Sequence, residues 1–248
     1  MSTCVIGDNY LAKSFINIFD VIPQYSDFSS IEKYSTIINC VDSPEGTLRQ
    51  MYYANYGLVH DIHEWCENEG KKLIHISTAE LYGRNHDYEQ TTEDSLWLDM
   101  NSDYRLSKRI AERIINTDKH VILRVKNLFD STIHKDNWLI QQYRANALSN
   151  LIDSITYIPN LHKLIFKIIN DNLVGMFNAT EYESKSPHYY FTEILNINKE
   201  EESSEESLYC DVNTTKIHEQ VPELMADSTG FVVAAWAMID KNQLDTFI

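Results

Sequence analysis

Tyr104 and Lys108 stand four residues apart in the stretch YRLSK. On a helix that spacing puts two side chains on one face. The chemistry such a pair offers is proton transfer. A phenol ionises near pH 10 and is a poor base at neutrality. An ammonium roughly 6 Å away, at an effective dielectric of about 20, favours the phenolate by about 2.8 kcal/mol, or about two pH units. A hydroxyl donor beside the phenol lowers it further. Taken alone, Tyr-x-x-x-Lys is an ordinary helix-surface pair. Its meaning depends on the elements that hold it.

Those elements alternate. TCVIG (3–7) and STIINCVD (35–42) predict buried strands, as do KKLIHIST (71–78) and HVILRV (120–125). Between them lie helical stretches: NYLAKSFINIF after Gly7, the long segment 47–70 with Met51, Leu58, Val59, Ile62 and Cys66 at helical spacing and Gly70 as its C-cap, and SDYRLSKRIAERIIN (102–116) with Ser102 or Asp103 as its cap. Strand–helix alternation predicts an α/β fold with a parallel sheet and helices on both faces. Ligands of such sheets bind beyond the carboxyl ends of the strands, which singles out Gly7, Val41–Asp42, Ser77–Thr78 and Lys126–Asn127. Further along, TYIPNLHKLIFKIIND (156–171) predicts a helix with Pro159 in its first turn and GMFNAT (175–180) a short strand. INKEEESSEES (197–207) predicts a solvated acidic loop, and FVVAAWAMI (231–239) a terminal apolar element.

Composition narrows the function classes. The 248 residues are 43% hydrophobic, enough for a substantial core, and carry a formal charge of −16. That field repels nucleic acid and anionic membrane. Cys4, Cys40, Cys66 and Cys210 are scattered without metal-ligand spacing, so no metal site is expected, and buried thiols in a reducing, cytoplasmic setting are. No apolar run reaches membrane-spanning length, and the first residues lack a signal-peptide pattern.

The ordered set HISTAELYG (75–83), TTEDS (91–95), YRLSK (104–108) and ILRVKNLF (122–129) resembles the extended short-chain dehydrogenases/reductases, which include NAD-dependent nucleotide-sugar epimerases, dehydratases and reductases. The family pattern is a strand leading into Ser-(Ser/Thr)-x-x-Val-Tyr-Gly, then Tyr-x-x-x-Lys on a helix, then a strand ending Leu-Arg-x-x-Asn. The resemblance spans about residues 3–180. It implies a Rossmann-type doubly wound core over residues 1–150 and a reduced substrate lobe over 151–248, intertwined with the core as one structural unit. It also implies a homodimer through the helices near 47–69 and 102–117. As to roles, it assigns Thr78 to orient a sugar oxygen, Tyr104 to exchange the proton, Lys108 to tune Tyr104 and hold the nicotinamide ribose, and Glu80 and Asn127 to meet a nucleotide sugar. Asn55 matches a family asparagine with a structural or proton-relay role. Arg124 either belongs to the substrate motif or pairs with a helix carboxylate.

The chain departs from the pattern most at the turn after the first strand. The family's Gly-x-x-Gly-x-x-Gly reads GDNYLAK here: Gly7 is kept, and Tyr10 and Lys13 replace the other two glycines. Gly7, Tyr10 and Leu11 are the residues set against the cofactor, NAD or NADP. A side chain at Tyr10 should obstruct close backbone approach to a diphosphate, Asp8 adds negative charge there, and Lys13 is a possible direct cation. To choose between the two cofactors the stretch DVIPQYSDF offers Asp20 and Asp27, neither well placed by sequence, so NAD and NADP both stay open. Ala79–Glu80 replaces the Asp–Glu of sugar dehydratases, which leaves epimerase and 4-keto reductase open. A second reading is a Rossmann-like pseudoenzyme that binds or regulates without redox turnover.

Overall fold

The structure, a computed structural model, describes residues 2–23, 27–83, 91–95, 101–202, 211–222 and 227–246. The chain forms two compact units that interleave. The first comprises Met1–Leu81, Leu98–Arg124 and Phe166–Phe177; the second comprises Tyr82–Trp97, Val125–Ile165 and Asn178–Ile248. This differs from a division near residue 150, because the chain returns to the first unit to add a late strand to its sheet.

The first half runs β1 (Thr3–Ile6), α1 (Tyr10–Ser14), β2 (Asp20–Ile22), β3 (Thr36–Asn39), α2 (Leu48–Tyr52), α3 (Leu58–Glu69), β4 (Lys72–Thr78), α4 (Asp103–Ile114) and β5 (Val121–Val125). There follow β6 (Leu128–Phe129), α5 (Trp138–Arg144), β7 (Ala147–Leu148), β8 (Thr156–Tyr157), α6 (Ile158–Asp171) and β9 (Gly175–Asn178). The last elements are α7 (Pro187–Tyr189), β10 (Glu200–Glu201), α8 (Thr215–Gln220), α9 (Ser228–Met238) and α10 (Lys241–Thr246).

Six strands make one sheet in the order β2-β1-β3-β4-β5-β9. The pairings of β1 with β2 and β3, and of β3 with β4, are parallel. This is the doubly wound α/β architecture that the alternation of strands and helices predicts. β1, β3 and β5 are buried along their whole length, as strands covered on both faces must be. The first unit's core joins Ile6, Ile37 and Leu73 of the sheet to Leu58, Val59, Ile62 and Cys66 of α3 and Ala111 of α4. The chain goes from β1 out to β2, then back past β1 to β3. The order therefore reverses between β1 and β3, and the crevice beyond their carboxyl ends is where such sheets take ligands.

Several local predictions are met by specific atoms. Thr47 and Gln50 form a capping box at α2, Gly70 ends α3 at φ +60°, and the Ser102 hydroxyl caps α4 by accepting from Arg105 N. The segment 47–70 is helical, but a π-turn over Tyr53–Gly57 interrupts it. The helix after Gly7 is shorter than predicted and gives way to tight turns after Ser14, where Phe15 N and Ile18 N each bond three residues back. β-branched Ile16 and Ile18 flank Asn17 there, all poor helix formers. The helix predicted over 156–171 begins at Ile158, because Thr156 and Tyr157 pair with Leu128 and Phe129 instead. Glu200–Glu201, placed in a loop by sequence, pair with Ala147–Leu148; 203–210 lie outside the described residues. The three-residue β2 is too short to leave a sequence signature.

In the second unit, Phe129, Trp138, Leu148, Ile155, Tyr190 and Phe191 form a core with Val232 and Ala235 of α9.

Candidate active site

Gly7 closes β1 with φ +144°, and a Cβ there would lie 3.2 Å from the Cys40 carbonyl carbon and 3.2 Å from the Ala12 Cβ. Only glycine suits both the backbone and the space. Asn9 then ties the turn to β3: its Oδ1 accepts from Ala12 N at 2.9 Å, and its Nδ2 donates to Cys40 O at 2.5 Å. Tyr10 and Leu11 open α1 with buried side chains, so the Tyr10 ring is packed into protein rather than solvent. Lys13 is not a spare cation: its Nζ lies 2.9 Å from Asp8 Oδ1, and the two exposed charges are spent on each other.

The chain leaving β3 is pinned residue by residue. Val41 N donates to Asn39 Oδ1 at 3.1 Å. Ser43 is gripped by Asn55, whose Oδ1 accepts from Ser43 N at 2.9 Å and whose Nδ2 donates to Ser43 O at 3.0 Å. Asn55 is fully buried in the π-turn and also reaches Ser107 Oγ on α4 at 3.1 Å. A π-turn aims such a side chain where an uninterrupted helix would not. Asp42 is therefore presented on a loop fixed from both sides.

β4 and α4 bring the expected residues together. Thr78, the last residue of β4, accepts from Glu80 N at 3.1 Å, and its hydroxyl acts on the nearby Tyr104 phenol to favour ionisation. Lys108 is 2% exposed; its Nζ donates to Ile76 O at 3.3 Å and lies 3.3 Å from Asp42 Oδ1. Tyr104 donates its hydroxyl to the other oxygen of the same carboxylate, Asp42 Oδ2, at 3.3 Å. The Asp42 carboxylate thus bridges the ammonium and the phenol.

That bridge reverses the electrostatic expectation for the pair. Burial, then Asp42, then Glu80 push the Tyr104 phenol well above its ordinary ionisation, against the lowering effect of Thr78. A carboxylate 3.3 Å from the phenol opposes phenolate by about 5 kcal/mol at an effective dielectric of about 20, more than the roughly 2.8 kcal/mol an ammonium at helix spacing returns. These neighbours favour the protonated, phenol form of Tyr104.

Arg124 resolves to its alternative reading. It is fully buried, and Nε and Nη2 donate to Glu112 Oε1 and Oε2 at 2.9 and 2.7 Å. Ser77 Oγ and Arg109 Nη1 bond the same carboxylate, at 2.7 and 3.0 Å. This network braces α4 against β4 and β5 from behind the site.

Asp20 and Asp27 are both committed elsewhere. Asp20 opens β2, at the amino end of the strand, and accepts from the Tyr34 hydroxyl at 2.6 Å; Asp27 caps the turn at Phe28–Ser30 through Ser29 N. Asn127 belongs to the second unit. It holds a left-handed backbone at φ +48°, and its Nδ2 donates to Asp153 Oδ2 and Ser154 O, both at 2.9 Å. With Trp138, Gln142, Asp153 and Pro187 it lines a groove of that unit.

One histidine–carboxylate group, His63, Glu67 and His120, has ligand-type atoms within 4.8 Å of one another. Asn116 N donates to His63 Nε2 and Leu73 N to His120 Nδ1, both at 3.2 Å. Each ring's lone pair is used by a backbone amide, so the other nitrogen carries the proton and the group does not suit a metal.

Sequence patterns did not reveal the part Asp42 plays. Its position at a strand exit marked it as facing the crevice, but nothing local indicates that it meets Tyr104 and Lys108, which lie more than sixty residues away.

A profile of the NAD dependent epimerase/dehydratase family matches residues 23–164, more than half of the chain. The chain belongs to that family. A comparison with curated protein sequences gives no match. Among solved structures, the UDP-rhamnose synthase of Acanthamoeba polyphaga mimivirus superposes with a TM-score of 0.80 at 14% identity, covering 94% of this chain and 98% of that one. The dTDP-4-dehydrorhamnose reductase of Bacillus anthracis str. Ames, in complex with NADP, gives 0.78 at 18% identity, covering 96% and 99%. The UDP-glucuronic acid 4-epimerase of Bacillus cereus, in complex with NAD, gives 0.76 at 15%, covering 99% of each. At these identities the likeness establishes the fold. Within the epimerase/dehydratase fold, the residues present suit the nicotinamide end of a dinucleotide: a buried ammonium with two protein acceptors for its three hydrogens, beside a hydroxyl and a phenol. At the diphosphate turn, only Gly7 of the three glycines remains to suit it.

Proposed function

We propose that this chain is an NAD(P)-dependent oxidoreductase acting on a nucleotide-linked sugar, as an epimerase or a 4-keto reductase. The observation that carries the reading is the convergence of Thr78, Tyr104 and Lys108 at the carboxyl end of β4. Lys108, with the backbone of Gly7, Tyr10 and Leu11, would hold the dinucleotide, which when bound supplies or accepts hydride. Thr78 orients the sugar oxygen by its hydroxyl, and Tyr104 exchanges the proton at that oxygen. Glu80, exposed just past β4, meets the sugar. Asn127, in the second unit, has its side-chain Oδ1 to offer a ligand, since both side-chain amide hydrogens are given to Asp153 and Ser154.

Leu48 and Tyr53, 58% and 62% exposed, and Leu106 at 37%, present apolar surface on α2, the π-turn and α4. They support a homodimer through these helices. Cys4, Cys40 and Cys66 are free and buried, with Cys4 and Cys66 pushed up to about 12 chiefly by burial, in keeping with a reducing, cytoplasmic setting. Among the described residues no helix is long and apolar enough to cross a membrane.

The altered turn favours a second reading. Tyr10 and Lys13 replace two glycines and Asp8 pairs with Lys13, which suits a binding or regulatory protein that has given up turnover. Titration with NADH and NADPH, followed by energy transfer from tryptophan, separates the two. Saturable binding in the micromolar range supports the oxidoreductase; absence of binding at millimolar cofactor leaves only the second reading.

A further inference from the structure

Asp42 stands where neither its strand nor its neighbours require a carboxylate. It is 31% exposed, its loop is fixed by Asn39 and Asn55, and its two oxygens reach different partners: Oδ1 to Lys108 Nζ and Oδ2 to the Tyr104 hydroxyl, each at 3.3 Å. An exposed aspartate tied to one lysine would be an ordinary surface pair. A carboxylate pinned between a 2%-exposed ammonium and a phenol controls both.

We propose that Asp42 is a positioning residue for the proton transfer: bridged between Lys108 and Tyr104, it holds Tyr104 in its protonated form, ready to donate to the carbonyl of a nucleotide-linked keto sugar. The inference rests on the oxidoreductase reading and narrows it. An epimerase or alcohol oxidase needs a tyrosinate to take a hydroxyl proton, whereas a reductase needs a phenol. In the reduction, the carbonyl carbon takes a hydride from a dihydronicotinamide, which is thereby oxidised. The C=O π bond breaks toward oxygen, and the oxygen takes the proton from Tyr104 Oη. The tyrosinate then recovers a proton from solvent along Asp42, which is hydrogen-bonded to it and part-exposed.

The charged and titratable groups around Tyr104 agree with this assignment. Asp42 faces it from the loop after β3 and Glu80 from beyond β4, both opposing ionisation; the Thr78 hydroxyl works the other way and is outweighed. Lys108 lies on Tyr104's own helix, with Cys40 and a neutral, buried His75 in its field. Two carboxylates thus outweigh one ammonium, and that ammonium is already paired.

Tyrosine labelled with carbon-13 at Cζ reports ionisation directly, and the Tyr104 resonance is the one missing from Y104F. In the wild-type protein it should show no titration up to about pH 11. In D42N its titration should enter the accessible range below about pH 11, and D42N/K108M should move it out again. D42A provides a second substitution. Ionisation of Tyr104 below about pH 10 in the wild type, or the absence of any titration up to about pH 11 in D42N and D42A as in the wild type, overturns the proposal. These measurements need no nucleotide or sugar, so a failure to bind NADH or NADPH ends the oxidoreductase reading without touching them. With NADPH and a nucleotide-linked 4-keto-6-deoxyhexose as probe, the alkaline loss of reduction rate should move to lower pH in D42N. An alkaline limb that does not move overturns the role given to Asp42.

Discussion

At the scale of residues, the site is a contest between charges at contact distance. Lys108 alone would make Tyr104 acidic; Asp42, equally close to both, cancels that effect and adds its own. Tyr104→Phe removes the proton and little volume. We expect keto-sugar reduction to fall by about 10²- to 10⁴-fold, the range of general acid catalysis, while NADPH affinity measured by fluorescence stays unchanged. An equal loss of binding and turnover would place Tyr104 in binding instead. Gly7→Ala meets both a forbidden φ and a 3.2 Å clash. A loss of about 1–3 kcal/mol in urea unfolding is expected, and an unchanged midpoint would show that the turn can relax.

At the scale of elements, Arg124 and Glu112 lock α4 to the sheet with both partners fully buried. Arg124→Met leaves Glu112 charged in the interior and should cost about 3–5 kcal/mol in denaturant unfolding. Adding Glu112→Leu should recover part of that loss, since no charge of the fully buried pair remains and only the part-exposed Arg109 loses its partner. Recovery of nothing would mean that the network positions the helix by shape rather than by charge. The apolar surface of α2, the π-turn and α4 makes a separate prediction. Leu48→Glu with Tyr53→Glu should halve the mass seen by light scattering, and a wild-type mass of one chain would dismiss the dimer.

At the scale of the whole molecule, the buried titratable groups give the two units different responses to acid. In the first unit burial lowers His63 and His75 and takes His120 down to about 4. Groups whose folded ionisation is depressed contribute stability that is present above their unfolded value, near 6.5, and is lost as pH falls through the folded value. In the second unit His162, at about 4, and His218 act the same way. Glu181, raised to about 7, and Asp211, raised to about 6, act oppositely, chiefly through burial. Their stability is present below their unfolded values, near 4, and is lost as pH rises through the folded ones. Acidification from pH 7 to about 4.5 should therefore weaken the first unit more. Hydrogen exchange should show a larger loss of protection at Leu73 N, bonded to His120, than at Tyr157 N, bonded to Glu181. Equal losses would contradict the assignment.

What could be read from the sequence follows from how far each signal travels along the chain. The apolar runs of β3, β4 and β5, Gly70 at its C-cap, Ser102 at its N-cap and the Tyr104–Lys108 spacing are local, and each is fixed by the period of its own element or by a hydrogen bond within one turn. Local signals also set the limits: a three-residue β2 and the π-turn at Asn55 leave no periodic trace. The return of 166–177 to the first sheet, the commitment of Arg124 to Glu112 and the seating of Asp42 between Lys108 and Tyr104 belong to tertiary structure. An ionisation equilibrium depends on distance in space, and the carboxylate that governs Tyr104 is sixty-two residues away along the chain.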